Sequence, residues 1–362
     1  MKQRIGICTN VGDCENAETK IQMTSMTGTC PICGSELFEV PSFSQNSLLR
    51  IVILFIFAIT LVSSIWWVWT KIAYNEVTFV VPKDLNTAEI QTSVDIALTE
   101  KVNRLAQNRY VKKVIDLYYG QWKDQLTLYD AKFLKFEVTK NNYGQLYEMV
   151  SQAAFALDVK VPHIYLINDS IPNAYVTGIT EPILVIHSEL IRLMEPEELL
   201  FVIGRELGHI KFKHTLVADI VAMSYYALEQ LIPTDTLRGI VTKGALLTFF
   251  KWSRESEISA DRLGMILVGS EKIATQTLIK LMTGLPVNQI IVKNFMDLHQ
   301  KENEAFDLRK IPVLLKEVNA THPFIGSRVE ALYQYKNSPE YTELFSSGDN
   351  RRVKINLSKF DK

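Results

Sequence analysis

The run IVILFIFAITLVSSIWWVWT, residues 51–70, contains no charged side chain, and it constrains this chain more than any other feature. Twenty residues rising ~1.5 Å each in a helix match the ~30 Å hydrocarbon layer of a bilayer. Arg50 and Lys71 bracket the run, and Trp66, Trp67 and Trp69 gather at one end, as interfacial tryptophans do. A buried core helix rarely stays uncharged for so long. A cleavable signal peptide does not fit either, because fifty residues precede the run. The expectation is one transmembrane helix. No second span follows: Leu216–Leu228 is interrupted by Asp219, and Gly239–Phe250 is short and contains Lys243.

The cysteines sharpen this division. The chain has 362 residues and four cysteines, Cys8, Cys14, Cys30 and Cys33, all ahead of the apolar run. A disulfide-stapled fold is therefore excluded for everything after it. The pattern is C-x5-C followed by C-x2-C, with Gly34 after the second pair. Two thiolates separated by two residues converge on one ion, and four suit tetrahedral zinc. A segment of about 40 residues cannot bury a useful core, so metal binding would supply its folding energy. Two disulfides, or a redox-active C-x-x-C, are the alternatives. No βαβ pattern surrounds the motif, which weighs against the redox reading. The segment resembles the short zinc ribbons at the ends of many bacterial membrane proteins.

Positive charges near the apolar run are balanced, with Arg50 before and Lys71 and Lys83 after, so they barely orient it. A thiolate zinc site survives best in a reducing compartment. The expected topology is single-pass, with a cytosolic amino terminus and the remainder outside the cytoplasm.

The net charge of −1 gives no basic field, which argues against a nucleic-acid partner. Hydrophobic residues at 47% and charged residues at 22% argue against disorder. Beyond the apolar run, apolar spacing over Asp84–Leu117 and Tyr143–Leu157 predicts helices. Val161–Ile167 and Pro182–Ile186 read as short strands separated by the polar Asn168–Thr180. Glu195-Pro196-Glu197-Glu198 opens a long helix ending near His214. A small sheet followed by helices makes an α+β, mostly helical domain. The expected organisation is a zinc ribbon at 1–40, a linker at 41–50, the span at 51–70, a helical connecting region at 71–139, a main domain at 140–335 and a tail at 336–362.

The long helix carries Arg205-Glu206-Leu207-Gly208-His209. Positions 205 and 209 share a face one turn apart, with Glu206 beside them. A histidine at 205 would complete H-E-x-x-H, which sets two imidazoles on zinc and a general-base carboxylate against the metal-bound water. Downstream, Glu257-Ile258-Ser259-Ala260-Asp261 puts two acids on one face, the first a candidate ligand and the second suited to orienting a ligand histidine.

RELGHIKFKH, the preceding Asn173-Ala174-Tyr175, the E-x-x-A-D of 257–261, and Thr321-His322-Pro323 followed by Arg328 stand in a specific order. In these motifs the chain resembles the HtpX-like zinc metallopeptidases, which include the CAAX prenyl proteases and mitochondrial quality-control proteases. The resemblance covers roughly residues 140–335. It implies a gluzincin fold, endopeptidase activity on membrane or unfolded proteins, and one catalytic zinc. Carried over by motif, His209 and Glu257 are zinc ligands, Glu206 is the general base, Asp261 stands behind the ligands, and Asn173 and His322 line the cleft.

Arg205 departs from that pattern. A guanidinium is protonated at ordinary pH and has no lone pair for a metal. His209 and Glu257 alone fall short of three protein ligands. His214 lies about 140° around an ideal helix from His209 and reaches it only if the helix breaks. Arg205 is instead expected to take the metal's place, its fork pairing with Glu257 and Glu206. His163, His187 and His299 are expected to be packing or surface residues, and Lys211, Lys213 and His214 a solvated helix end. Three functions compete: a non-catalytic module gripping extended polypeptides, an active zinc endopeptidase with an altered ligand set, and a membrane-tethered adaptor working through the zinc ribbon.

Overall fold

Strands β6 (His163–Ile167) and β8 (Ile183–His187) run parallel at the centre of a four-stranded sheet. Every side chain of β8 is buried, as a strand covered on both faces requires. The computed structural model describes residues 4–9, 14–15, 19–23, 28–40, 56–57, 59–60, 63, 76–117, 123–221, 235–288, 290–295, 297, 324–346 and 349–357. The chain divides into two compact units, Met1–Ala73 and Tyr74–Lys362.

In the first unit, β1 (Arg4–Cys8), β2 (Lys20–Met23) and β3 (Leu37–Val40) form an antiparallel sheet in the order β2-β1-β3. Cys8, Cys30 and Leu37 are its buried residues, with Ile21, Cys14 and Cys33 packed beside them. Among the described residues no helix is long and apolar enough to cross a membrane. Most of the apolar run 51–70 lies outside the described residues. Those described within it are helical, and Ile56, Phe57 and Ile59 are all exposed.

In the second unit, β4 (Glu76–Pro82) pairs antiparallel with β9 (Asn350–Asn356). This pairing ties the segment just after the apolar run to the carboxy-terminal end of the chain. Phe79, Val81, Val353 and Ile355 belong to the main core. Helices α1 (Thr87–Ile90), α2 (Ser93–Gln107), α3 (Arg109–Ile115) and α4 (Asp124–Leu134) follow β4. The four-stranded sheet has the order β5-β6-β8-β7, with β5 at Phe136–Val138 and β7 at Ala174–Thr177. Strand β7 pairs antiparallel with β8 and forms an edge.

The remaining helices are α5 (Gly144–Ala156), α6 (Ser188–Leu193), α7 (Pro196–Lys211), α8 (Asp235–Val268), α9 (Glu271–Thr283), α10 (Ile325–Lys336) and α11 (Pro339–Ser346). Helix α7 starts where the sequence predicts, with Pro196 in its first turn and a reciprocal capping box between Glu195 and Glu198. It packs against α8 at very short range. A Cβ on Gly204 would stand 2.9 Å from Leu267 and 3.0 Å from the Gly264 Cα, and one on Gly264 would stand 2.7 Å from the Phe201 carbonyl oxygen. Glycine at these points lets the backbones approach, bringing position 205 against positions 257 and 261.

Candidate functional site

Arg205 lies on α7 and faces α8. Its Nη1 donates to Glu206 Oε1 at 2.5 Å and its Nη2 to Glu257 Oε2 at 2.5 Å, while Nε is 3.5 Å from Asp261 Oδ1. That last distance is too long for a hydrogen bond, so Asp261 adds attraction without accepting a proton. Asp261 is itself held by Arg328, whose Nε and Nη2 donate to its two oxygens at 2.7 and 2.6 Å. The acid suited to orienting a ligand histidine thus forks with an arginine instead.

The cluster carries three carboxyls and two guanidiniums away from water. Burial, aided by Glu257 and Asp261, pushes Glu206 up to about 7, against the opposing pull of Arg205 and Arg328. Burial works against the Arg205 cation, but Glu257, Glu206 and Asp261 outweigh it and hold the guanidinium protonated.

His209 and His214 meet. Helix α7 stops at Lys211, and Lys213 takes a left-handed backbone with φ of 59°. The break places His214 Nδ1 2.9 Å from His209 Nδ1 and His214 Nε2 3.0 Å from Asp95 Oδ2. His214 is therefore buried, not part of a solvated helix end. Lys211 also differs from that expectation, donating to the Leu157 carbonyl at 2.9 Å.

Burial raises Asp95, yet hydrogen bonds and charge from His214, with Gln91 and Ser259, bring it down to about 2. A carboxylate only accepts, so His214 Nε2 donates to Asp95. One of the two facing Nδ1 atoms donates to the other across the 2.9 Å contact between His209 and His214. Burial keeps His209 neutral, lowering it to about 3. Its Nε2 faces Glu257 at 3.7 Å. His214 occupies the opposite edge of the His209 ring and supports its orientation; it is not placed as a third ligand beside Glu257.

A cleft of about 290 Å³ opens on these groups, lined by Asn173, Ala174, Tyr175 and Val176 from the β7 edge and by Arg205, Glu206, His209 and Glu257. His322 lies outside the described residues. Asp95 and Trp252, which no motif singled out, complete the back of the site: Trp252 Nε1 donates to Asp95 Oδ1 at 3.0 Å and Thr99 Oγ1 to the same oxygen at 3.1 Å. The available signal was an acid and a threonine one turn apart on the inner face of α2. His187 is buried and faces the Ile171 carbonyl at 3.0 Å, and His163 lies 3.4 Å from Glu181. His299 is outside the described residues.

The amino-terminal cysteines also converge. The ligand atoms of Cys8, Cys14, Cys30 and Cys33 all lie within 4.8 Å of one another, with Cys8–Cys33 and Cys14–Cys30 both at 3.6 Å. A disulfide needs about 2.05 Å, whereas sulfurs around a tetrahedral zinc at ~2.3 Å stand about 3.8 Å apart. Gly34 takes φ of 75° and its N–H donates to the Cys30 carbonyl at 2.9 Å, folding the loop around the thiols. Hydrogen bonds from the Ser35 side chain and backbone bring Cys33 down to about 6, which favours the thiolate a metal requires.

The edge strand β7, the helix α7 bearing the buried Glu206 and the helix α8 bearing Glu257 and Asp261 together frame this site. Residues 140–336 match peptidase family M48, and the chain belongs to that family. It is 25% identical over 244 residues to the plastoglobule-localized metallopeptidase 48 of Arabidopsis thaliana, covering 64% of this chain and 68% of that protein. It is 32% identical over 116 residues to a protease HtpX homolog of Thermodesulfovibrio yellowstonii, covering 32% of this chain and 40% of the relative. A Burkholderia cenocepacia HtpX homolog is 28% identical over 184 residues, covering 44% and 63%. The chain thus spans less than two thirds of those two relatives. The crystal structure of S. mikatae Ste24p aligns with a TM-score of 0.36 and 14% identity, over 66% of this chain and 62% of that one.

Peptidases of this family are zinc-dependent. The donor set at Arg205 does not fit that ion: the guanidinium sits between Glu206 and Glu257, and His209 and Glu257 provide only two ligands where three are usual. The four-cysteine cluster does fit a structural zinc.

Proposed function

We propose that this chain is a membrane-anchored, non-hydrolytic member of its family that holds extended or misfolded polypeptides in the cleft beside β7. The observation that carries the reading is the Arg205 guanidinium 2.5 Å from both Glu206 and Glu257. A fixed cation satisfies acids that a metal would otherwise neutralise. Without a bound and polarised water, Glu206 has no nucleophile to activate.

Polypeptide binding is supported by the edge strand. Among the described residues, strand β7 pairs with β8 on one side only, and its residues 174–176 line the cleft. An extended peptide adds to such an edge through main-chain hydrogen bonds, with alternate side chains entering the cleft. Asn173 and His322 are then contacts for the bound chain. Anchoring rests on the charge-free run 51–70, with the zinc ribbon on the cytosolic side and the cleft domain outside. The four converging thiols favour a second, compatible role, a zinc ribbon that recruits a cytosolic partner.

The test is Arg205→His in the full chain. The variant is expected to bind one more zinc than the parent and to gain cleavage of unfolded casein, while the parent binds casein without cutting it. Cleavage by the parent, abolished by Glu206→Gln, would establish an active enzyme with an altered ligand set.

A further inference from the structure

Helix α4 has two apolar faces, one more than a surface helix needs. On the inner face Leu128 and Ala131 pack with Tyr165, Ile183 and Val185 of the sheet. The buried Asp124 pins the start of the helix, accepting from the backbone N–H of Ile179 at 2.9 Å and of Thr180 at 2.6 Å. On the outer face Leu126, Tyr129 and Phe133 follow one another at i, i+3 and i+7, and they are 60%, 60% and 70% exposed. The rings of Tyr129 and Phe133 lie 4.5 Å apart. Leu134 at the end of the helix and Phe136 and Tyr143 beyond it are also exposed, and the last two meet edge-on at 5.6 Å. Single exposed apolar residues are ordinary, but an aligned stripe with its own ring contacts marks an interaction surface.

The charge around the stripe indicates its occupant. Between residues 123 and 140 lysines outnumber acidic side chains four to three, and one of those acids, Asp124, is buried, in a chain whose net charge is −1. Lys132 lies within the stripe and Lys135 and Lys140 follow it; Lys132 and Lys140 are exposed, as are the acids Asp130 and Glu137. A second copy of the chain would set the same lysines against each other. An aromatic and aliphatic stripe with lysines around it is suited to a bilayer interface bearing anionic headgroups.

We propose that the outer face of α4, through Leu126, Tyr129 and Phe133, docks on an anionic lipid surface. This goes beyond polypeptide binding, since it sets the cleft domain against the membrane. It rests on the anchor reading only in so far as residues 51–70 hold the domain near that membrane.

The test uses the full chain in vesicles of phosphatidylcholine with or without phosphatidylglycerol, the acyl chains brominated to quench indole fluorescence. The parent chain supplies the baseline, to which Trp66, Trp67 and Trp69 contribute. Phe133→Trp places a reporter on the stripe, and Lys272→Trp places one on the exposed start of α9. The expected result is loss of the added fluorescence at 133 but not at 272. The loss should deepen with phosphatidylglycerol, weaken at high salt and diminish when Leu126 and Tyr129 become serine. Equal quenching at 133 and 272, or a 133 signal independent of phosphatidylglycerol, overturns the proposal. So does a signal at 133 that is shielded in proportion to protein concentration, with cross-links between copies. An unquenched parent baseline with quenching retained at 133 refutes the anchor alone.

Discussion

Arg205 Nη2 donates to Glu257 Oε2 at 2.5 Å, joining α7 to α8 by a buried ion pair. Removing the cation strips Glu206 of its ion-pair partner and leaves Glu257 facing Arg328 only at 3.8 Å, while Asp261 keeps its Arg328 fork. Arg205→Ala should therefore destabilise the domain by about 3–5 kcal/mol, measured by denaturant unfolding. A loss within the range of ordinary surface substitutions would show that the pair is not structurally integrated.

Asp95 sets a limit on acid stability. Its carboxyl is held down to about 2 in the folded chain against an ordinary 3.8. A lowered carboxyl contributes stability that is present above the unfolded value and is lost as pH falls through the folded one. Unfolding should thus become easier as pH drops from about 3.8 towards about 2. Asp95→Asn should remove that portion of the acid transition and cost about 2 kcal/mol at neutral pH, because donors from His214, Trp252, Thr99 or Gln91 lose an acceptor. An unchanged pH profile in the variant would contradict this.

The close contact between α7 and α8 depends on Gly264. A methyl group there would stand 2.7 Å from the Phe201 carbonyl oxygen, which is backbone and cannot swing aside. Gly264→Ala should cost about 2 kcal/mol and loosen the Arg205–Glu257 pair, visible as faster amide exchange along α7. Wild-type stability and exchange would mean that the helices shift apart freely.

Much of this was readable along the chain, and what escaped has physical causes. The start of α7, the strands β6 and β8 and the amphipathic α5 follow from local periodicity and capping. Strand β7 was hidden because its flanks are polar and its four residues are too short for alternation to register. The break after Phe212 depends on Lys213 at positive φ, which sequence does not signal in a non-glycine residue. As a result, the His209–His214 contact was foreseeable only as a condition. The β4–β9 pairing joins segments more than 260 residues apart and leaves no local trace. The pairing of Arg205 with Glu257, 52 residues away, could be anticipated from what the resemblance implies for those two positions together with the guanidinium's charge.

The cysteine cluster is separable from the rest. Cys30→Ser with Cys33→Ser should release the amino-terminal zinc and unfold the β2-β1-β3 sheet, since the buried residues of that unit are largely its cysteines. Hydrogen exchange in β4–β9 and α7 should be unchanged. Loss of protection there as well would show that the two units fold together.

Zinc stoichiometry of the purified full-length chain tests the central claim most directly. If Arg205 stands in the metal's place, the protein carries about one zinc per chain, and that zinc is lost when Cys30 and Cys33 become serine. Two zincs per chain, one of them surviving those substitutions and lost in His209→Ala, would contradict the account.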